Sequence, residues 1–318
     1  MTATHHRFML YQWNIVGHTQ QLLGLEKEIK EKNISHAYLF SGPRQGGKSS
    51  IAKTFANIIQ CPNHYCKKCK DCQLIQAKAH SDTLFMEDNG ESIKIDDIRE
   101  IIRKTNLTSQ SPYRVIVIEN IERMPIEAQN SFLKTLEEPP GKTIFLLTTS
   151  HLDQVLLTIQ SRVRHFHFST VDDGILKAYL KETFGSRSDM DEIINMAQGR
   201  PGLAINMIKD EGAFEDQKKL YNQIETFLKK NDLAQKFSFI EGIEKDKDQV
   251  SLFLDAFTRY LRKLLFEYMN SSSPLLGKRF TPRDIINLFE SLEKTRYFIN
   301  RNVNKRLALE NLMIQTER

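Results

Sequence analysis

Apolar residues recur along this chain with two different periods, and the change between them falls near Thr170. Before it, short runs that are apolar at almost every position predict buried strands. These are Ala37-Tyr38-Leu39-Phe40, Thr83-Leu84-Phe85-Met86, Val115-Ile116-Val117-Ile118 and Ile144-Phe145-Leu146-Leu147, and a further strand is expected over 163–168. Between them apolar residues return every three or four positions, as on one face of a helix: Ile51, Phe55, Ile58 and Ile59; Ile95, Ile98, Ile101 and Ile102; Phe132, Leu133 and Leu136. A polar helix is expected over 20–32. Pro112-Tyr113 breaks the chain before the third strand, Pro125 stands at a helix start, and Pro139-Pro140-Gly141 marks that helix's end. Strands alternating with helices imply a parallel sheet covered on both faces.

Past Thr170 no strand-like run recurs. Ile175, Leu176, Tyr179 and Leu180 open a helical region, Gly199-Arg200-Pro201-Gly202 makes a tight turn between two of its helices, and from about Gly212 the pattern is all-helical. Leu252, Phe253, Ala256, Phe257, Tyr260, Leu261, Leu264 and Leu265 form one apolar stripe of the kind used in core or subunit packing. Ser271-Ser272-Ser273-Pro274 reads as a loop, and a long helical stretch is expected over 282–312. The fold class is therefore α/β plus all-α, in three parts: an α/β domain over 1–168, a small helical lid over 169–210 and a helical bundle over 211–318.

Bulk composition narrows the picture only a little. At 318 residues, 40% hydrophobic and 27% charged, the chain has the balance of a soluble globular protein with two or three cores. No run of eighteen apolar residues exists, so no membrane span is expected. His5, His6 and Arg7 sit near the start without a long apolar core, so no secretory signal is expected and a cytoplasmic setting follows. A net charge of +5 is compatible with touching nucleic acid but does not argue for it.

The first strand runs into Ser41-Gly42-Pro43-Arg44-Gln45-Gly46-Gly47-Lys48-Ser49-Ser50, in which Gly42, Gly47, Lys48 and Ser49 satisfy the phosphate-binding pattern G-x-x-x-x-G-K-[ST]. Glycines at 42, 46 and 47 let the backbone curl so that several N–H groups face one phosphate, and the following helix adds its positive end. Lys48 is expected to reach the β- and γ-phosphates of ATP or ADP, and the Ser49 hydroxyl to take a place on Mg²⁺. A second strand should end in an acid that helps hold the metal, and Glu119 stands there. The next position, where a water-polarising carboxylate would stand, is Asn120. An amide orients water but does not accept its proton at neutral pH, so nucleotide is expected to bind and to be hydrolysed slowly or not at all. Glu122 could substitute only if the strand end were irregular. Thr148 and Thr149 end the next strand, where a hydroxyl could sense the γ-phosphate or merely cap the strand.

All four cysteines fall in one segment, Cys61, Cys66, Cys69 and Cys72, with spacing C-x4-C-x2-C-x2-C. Four thiolates so placed can close a tetrahedron round Zn²⁺ with no position left for chemistry. An iron–sulfur cluster or reduced free thiols are the other readings. His64 and His80 lie nearby, but four cysteines suffice. Lys67, Lys68 and Lys70 can offset the thiolate charge, and a DNA contact for them stays open.

Taken together these segments resemble the bacterial DNA polymerase III clamp-loader family of AAA+ proteins. The resemblance rests on Ser35-His36-Ala37-Tyr38-Leu39-Phe40-Ser41-Gly42 before the loop and on the four-cysteine module after the first helix. Further matches are Asn130-Ser131-Phe132-Leu133-Lys134-Thr135-Leu136-Glu137-Glu138-Pro139-Pro140, Thr158-Ile159-Gln160-Ser161-Arg162, Gly199-Arg200-Pro201-Gly202 and Asn304-Lys305-Arg306-Leu307-Ala308-Leu309-Glu310-Asn311-Leu312. It implies an AAA+ domain carrying a zinc module over 61–72, then a lid, then an oligomerising collar. Within the family, Glu119-Asn120 and Ser92-Ile93-Lys94-Ile95-Asp96-Asp97-Ile98-Arg99 are more like the delta-prime branch than the gamma/tau motor, whose acidic pair usually reads Asp-Glu. The long extension that marks tau is also not expected beyond the collar.

The resemblance further implies a stator in a five-subunit ring with gamma/tau and delta, acting on a sliding clamp and primed DNA. Arg162 would serve in trans as an arginine finger on a neighbour's γ-phosphate; Val163 stands where the family usually has cysteine, which leaves the charge intact. Arg200 would face this chain's own nucleotide from the lid, although packing of the Gly-Arg-Pro-Gly turn explains it as well. Some delta-prime proteins have lost the phosphate loop, whereas Lys48 and Ser49 are present here. A motor that hydrolyses ATP itself is the alternative.

Overall fold

The computed structural model describes residues 9–106, 108–230, 232–270, 280–301 and 303–317. They cluster into two compact units, 1–187 with 199–205, and 188–198 with 206–318. The loop expected at Ser271-Ser272-Ser273-Pro274 lies outside the described residues.

The first unit is built on five parallel strands: β1 (Ala37–Ser41), β2 (Thr83–Met86), β3 (Arg114–Ile118), β4 (Thr143–Thr149) and β5 (Arg164–His167), in the order β2-β3-β4-β1-β5. Side chains of a strand alternate between faces, and the core divides accordingly. Ala37, Leu39, Ile116, Ile118, Phe145 and Leu147 pack on one face against α4 (Ile95–Thr105) and α5 (Ile126–Glu137) through Ile98, Ile101, Ala128, Phe132 and Leu136. Tyr38, Phe40, Val115, Val117, Ile144 and Leu146 pack on the other against α1 (Thr19–Lys30) and α2 (Lys48–Gln60) through Leu22, Leu25, Ile51, Phe55 and Ile58. This is why the strands read as continuous apolar runs. Phe132 meets Phe145 edge to face with centroids 5.1 Å apart. Burial of each such ring is worth about 1.5–3 kcal/mol.

A buried pair anchors the outer part of the sheet. Arg114 Nη2 donates to Asp82 Oδ1 at 3.0 Å, and Asp82 Oδ2 accepts from the backbone N–H groups of Gln110 and Ser111, both at 2.9 Å. Burial alone would raise the Asp82 carboxyl, but these donors outweigh it and hold it below the ordinary aspartate range. Two short helices stand where no helix was expected: α3 (Lys70–Gln76), inside the cysteine segment, and α6 (Leu157–Gln160). The last strand is two residues shorter than expected, starting at Arg164 rather than Val163 and ending at His167. α7 (Asp173–Phe184) belongs to this unit and is capped by Asp172, whose carboxylate accepts from the N–H groups of Gly174 and Ile175.

The second unit contains α8 (Met190–Ala197), α10 (Glu211–Lys229), α11 (Leu233–Ile243), α12 (Lys247–Asn270), α13 (Pro282–Asn300) and α14 (Lys305–Gln315). Between α8 and α10, α9 (Pro201–Lys209) begins in one unit and ends in the other. Phe227, Phe239, Phe253 and Phe257 stack in series with centroids 5.2, 5.2 and 5.7 Å apart. The stripe on α12 is buried at Phe253, Ala256, Phe257, Tyr260, Leu261 and Leu264, whereas Leu252 is exposed. The stretch expected as one helix over 282–312 is two. Asn304 accepts from Leu307 N at 3.3 Å and starts α14 afresh.

Candidate functional site

The carboxyl ends of β1, β3 and β4 converge where the direction of strand connection reverses, the usual place for a ligand on an open parallel sheet. From β1 the chain enters the glycine loop. Gly42 has φ +145°, and a Cβ there would stand 2.0 Å from Phe168 O, so only glycine lets the loop pass β5's end. Gly46 N donates to Pro43 O at 3.2 Å, closing the turn. α2 begins at Lys48 with Gly47 at its N-cap and no side-chain cap, which leaves its first N–H groups for a ligand.

Lys48 is only 5% exposed and its ammonium is folded into the loop: Nζ donates to Gly42 O at 2.8 Å, Pro43 O at 2.7 Å and Ser150 Oγ at 3.1 Å. It thus stands where phosphate oxygens would replace the two carbonyls. Ser49 is half-buried and Ser50 exposed on the first turn of α2. Of the hydroxyls at the end of β4, Thr148 Oγ1 accepts from Asn120 N and Thr149 Oγ1 from His151 N, and both threonines are fully buried. The hydroxyl that meets Lys48 belongs to Ser150, one residue beyond those considered from sequence.

Glu119 directly follows β3, but it is not alone. Lys53 Nζ lies 3.0 Å from Glu119 Oε1 and 2.7 Å from Glu87 Oε1, and Lys78 pairs with the other oxygen of Glu87. Burial would lower the Lys53 pKa, yet its bonds to Glu87 and Glu119 hold it above the ordinary lysine value. Ser49 and Glu119 are hard oxygen donors of the kind Mg²⁺ takes, so the residues fit that ion, with Lys53 as its competitor for Glu119. Asn120 sits in the left-handed region at φ 52°, donates its amide to Asp88 Oδ2 at 2.6 Å and leads into a 3-10 turn over Ile121–Arg123. The strand end is therefore irregular, the condition set for Glu122. Glu122 Oε1 accepts from Ser150 N at 2.9 Å, while its buried Oε2 has no hydrogen-bond partner among the described residues.

Two elements close round the loop in a way the sequence did not disclose. His18, at the start of α1 with φ 59°, packs edge to face on Phe168 at 5.1 Å. Burial lowers its pKa against a bond to the backbone of Gly46, and its Nε2 is buried without a hydrogen-bond partner among the described residues. Gly202 N donates to Gln45 O at 2.8 Å, and a Cβ on Gly202 would lie 2.7 Å from that oxygen. Arg200, just before α9, is buried. The Gly-Arg-Pro-Gly turn is thus bound to the phosphate loop itself.

The cysteines come together as the spacing requires. Their sulfurs all lie within 4.8 Å of one another, Cys61 Sγ being 3.7 Å from Cys66 Sγ and 3.6 Å from Cys69 Sγ. Four sulfurs at about 2.3 Å from a tetrahedral zinc would be about 3.8 Å apart, whereas a disulfide needs about 2.05 Å. The N–H groups of Cys66, Cys69 and Cys72 donate to the sulfurs of Cys61, Cys66 and Cys69. Backbone donors from Lys68 and Cys69 lower the Cys66 thiol to about 6, while burial raises Cys72. His80 is directed elsewhere, its Nδ1 bonded to Thr83 Oγ1 at 2.9 Å. His64 packs against Tyr11 at a tilt, with ring centroids 4.9 Å apart.

Arg162 follows α6 on the same unit. Its Nη2 lies 2.6 Å from Glu137 Oε1, its Nε donates to the same oxygen at 2.8 Å, and its Nη1 donates to Thr158 O at 2.9 Å and Ser161 Oγ at 3.1 Å. Among the described residues, no helix is long and apolar enough to cross a membrane.

Residues 17–172 match the family model described as DNA polymerase III, delta subunit. The chain is 37% identical over 163 residues to DNA polymerase III subunit tau of Bacillus subtilis (strain 168), covering 50% of this chain and 29% of that protein. It is 30% identical over 207 residues to DNA polymerase III subunit gamma of Buchnera aphidicola subsp. Schizaphis graminum (strain Sg), covering 61% and 56%. Against DNA polymerase III subunit gamma/tau of Mycoplasma genitalium, identity is 26% over 291 residues, covering 85% and 48%. The chain therefore spans between 29% and 56% of the length of these relatives. Residues 17–172 are thus similar to a DNA polymerase III delta-subunit domain, and the chain is similar to gamma/tau proteins.

Proposed function

We propose that this chain is a AAA+ subunit of the DNA polymerase III clamp loader in the delta-prime, or stator, role. It binds ATP or ADP through Gly42, Gly46, Gly47, Lys48, Ser49 and Ser50, with Glu119 and Ser49 toward Mg²⁺, Ser150 or Thr149 as the hydroxyl near the γ-phosphate, and Arg200 on the lid side. Residues 169–210 are the lid and 211–318 the collar. Arg162 reaches a neighbouring gamma/tau subunit in a five-subunit ring that also holds delta, and the assembly places a sliding clamp round primed DNA. A structural zinc on Cys61, Cys66, Cys69 and Cys72 holds the 61–72 segment in shape.

The observation that carries this reading is Asn120. The position that would polarise water holds an amide, and that amide is spent on Asp88. Binding without efficient turnover follows, so the chain's contribution to catalysis must be made elsewhere. A guanidinium offers what phosphoryl transfer needs, fixed positive charge aimed at equatorial oxygens. Bound nucleotide here fastens the 199–202 turn to the phosphate loop, a fastening the Gly202–Gln45 bond already favours.

The second reading, a gamma/tau-type motor that hydrolyses ATP itself, is favoured by Glu122. Its carboxylate stands at an irregular strand end and bonds the backbone of the residue that touches Lys48. The two are separated by DNA-stimulated ATP turnover in a loader reconstituted with Lys48→Ala or Arg162→Ala in this chain. A stator with a finger loses most turnover with Arg162→Ala and little with Lys48→Ala. The reverse pattern makes the chain a motor.

A further inference from the structure

We infer that Glu137 is a positioning residue for Arg162: it holds the Nε–Nη2 edge of the guanidinium in the unassembled chain and yields that edge to a phosphate oxygen. The inference rests on the proposed trans role of Arg162. Glu137 is the last residue of α5 and Arg162 stands just past α6, so the pair joins the ends of two helices across an open cavity of about 640 Å³ that Ser35, His36 and Arg164 also line.

The geometry sets which edge is released. Both bonds from Nε and Nη2 fall on one carboxylate oxygen, Glu137 Oε1, at 2.8 and 2.6 Å. Nη1 is anchored separately, on Thr158 O and Ser161 Oγ, both within two helical turns of Arg162's own segment. A planar fork recognises carboxylate and phosphate through the same N–H pairs. Glu137 therefore occupies the surface that a phosphate would use, and exchange needs no swing of the arginine, because Nη1 keeps the plane in place while the other edge changes partner. The pair is also weak enough to exchange. Arg162 and Glu137 side chains are 36% and 49% exposed, and ion pairs so placed change an equilibrium by no more than about fivefold. A doubly charged phosphate outcompetes a single carboxylate in that range, whereas Arg164, on the same cavity, is itself held by Glu28 Oε1 at 3.1 Å.

The test uses a loader reconstituted with wild-type chain, Glu137→Gln or Arg162→Ala, assayed for DNA-stimulated ATP turnover below saturation. Glu137→Gln is isosteric and removes only the charge that competes, so turnover rises by about two- to fivefold at low salt. The gain shrinks as ionic strength rises, because the pair it removes is screened. Glu137→Asp, too short to span the gap, rises likewise. In the free, ¹⁵N-labelled chain the Arg162 Nε–H, assigned by its loss in Arg162→Ala, exchanges with water severalfold faster in Glu137→Gln. Turnover that is unchanged or lower in both Glu137 variants, while Arg162→Ala still removes most of it, overturns the positioning role and leaves the trans role standing. Turnover indifferent to Arg162→Ala overturns both.

Discussion

At the scale of single residues, the phosphate loop is the part that chemistry dictates most completely. Gly42 must be glycine because a Cβ would strike the backbone of Phe168, and Lys48 is the group at the loop's centre. The hydroxyl beyond it was not so determined. Thr148 and Thr149 end a strand in the expected place, but pairing with β1 runs as far as Ser41 opposite Thr149, so both side chains stay inside the sheet. Ser150 is the first residue free of that register. Ser150→Ala is expected to weaken ATP binding about three- to tenfold while leaving ADP affinity unchanged, read by titration calorimetry. Thr149→Val is expected to leave affinity unchanged and to lower unfolding free energy by about 1 kcal/mol, because the His151 N–H loses its acceptor. If Thr149→Val alone changed affinity, the assignment would revert to Thr149.

At the scale of elements, the cysteine module shows how spacing becomes geometry. Cys69 caps α3 by accepting from Cys72 N, and His64, Tyr65 and Lys67 take left-handed conformations to turn the backbone between ligands. Such turns are costly for residues other than glycine, and the four metal bonds of the proposed zinc site would supply the constraint that keeps them. One zinc per chain is expected by elemental analysis, with a colourless protein; visible absorbance would indicate an iron–sulfur cluster instead. Cys61→Ser and Cys72→Ser, which remove the two buried ligands, are expected to release the metal and expose 61–72 to proteolysis while the sheet persists. Retention of equimolar zinc by either variant would rule out a four-thiolate site. The helix in this segment escaped the sequence pattern because α3 spans seven residues, two turns, too few to show a period.

At the scale of the molecule, two compact units each own a core, the first round a five-stranded sheet and the second among helices. A ligand that binds only the native first unit stabilises that unit by mass action, by about 2.7 kcal/mol at a hundred times its dissociation constant. Calorimetry with ADP is therefore expected to raise the transition of the unit that holds the phosphate loop and to leave that of the helical unit in place. Lys48→Ala should abolish the rise. Equal shifts of both transitions would mean that the units unfold as one.

What the sequence by itself determined is whatever depends on residues near one another along the chain. The apolar runs specified four strands, of which β1, β3 and β4 are buried throughout, the glycine pattern specified the loop, and the cysteine spacing specified a four-thiol cluster, because period and spacing act over a few residues. The partners those groups take were decided only when distant segments met. Lys53 on Glu119, Asn120 on Asp88, Ser150 on Lys48, Gly202 on Gln45 and Glu137 on Arg162 each join separate elements. Strand order and the irregular end of β3 bring them within hydrogen-bonding reach, and a pairing that depends on topology leaves no trace in local spacing.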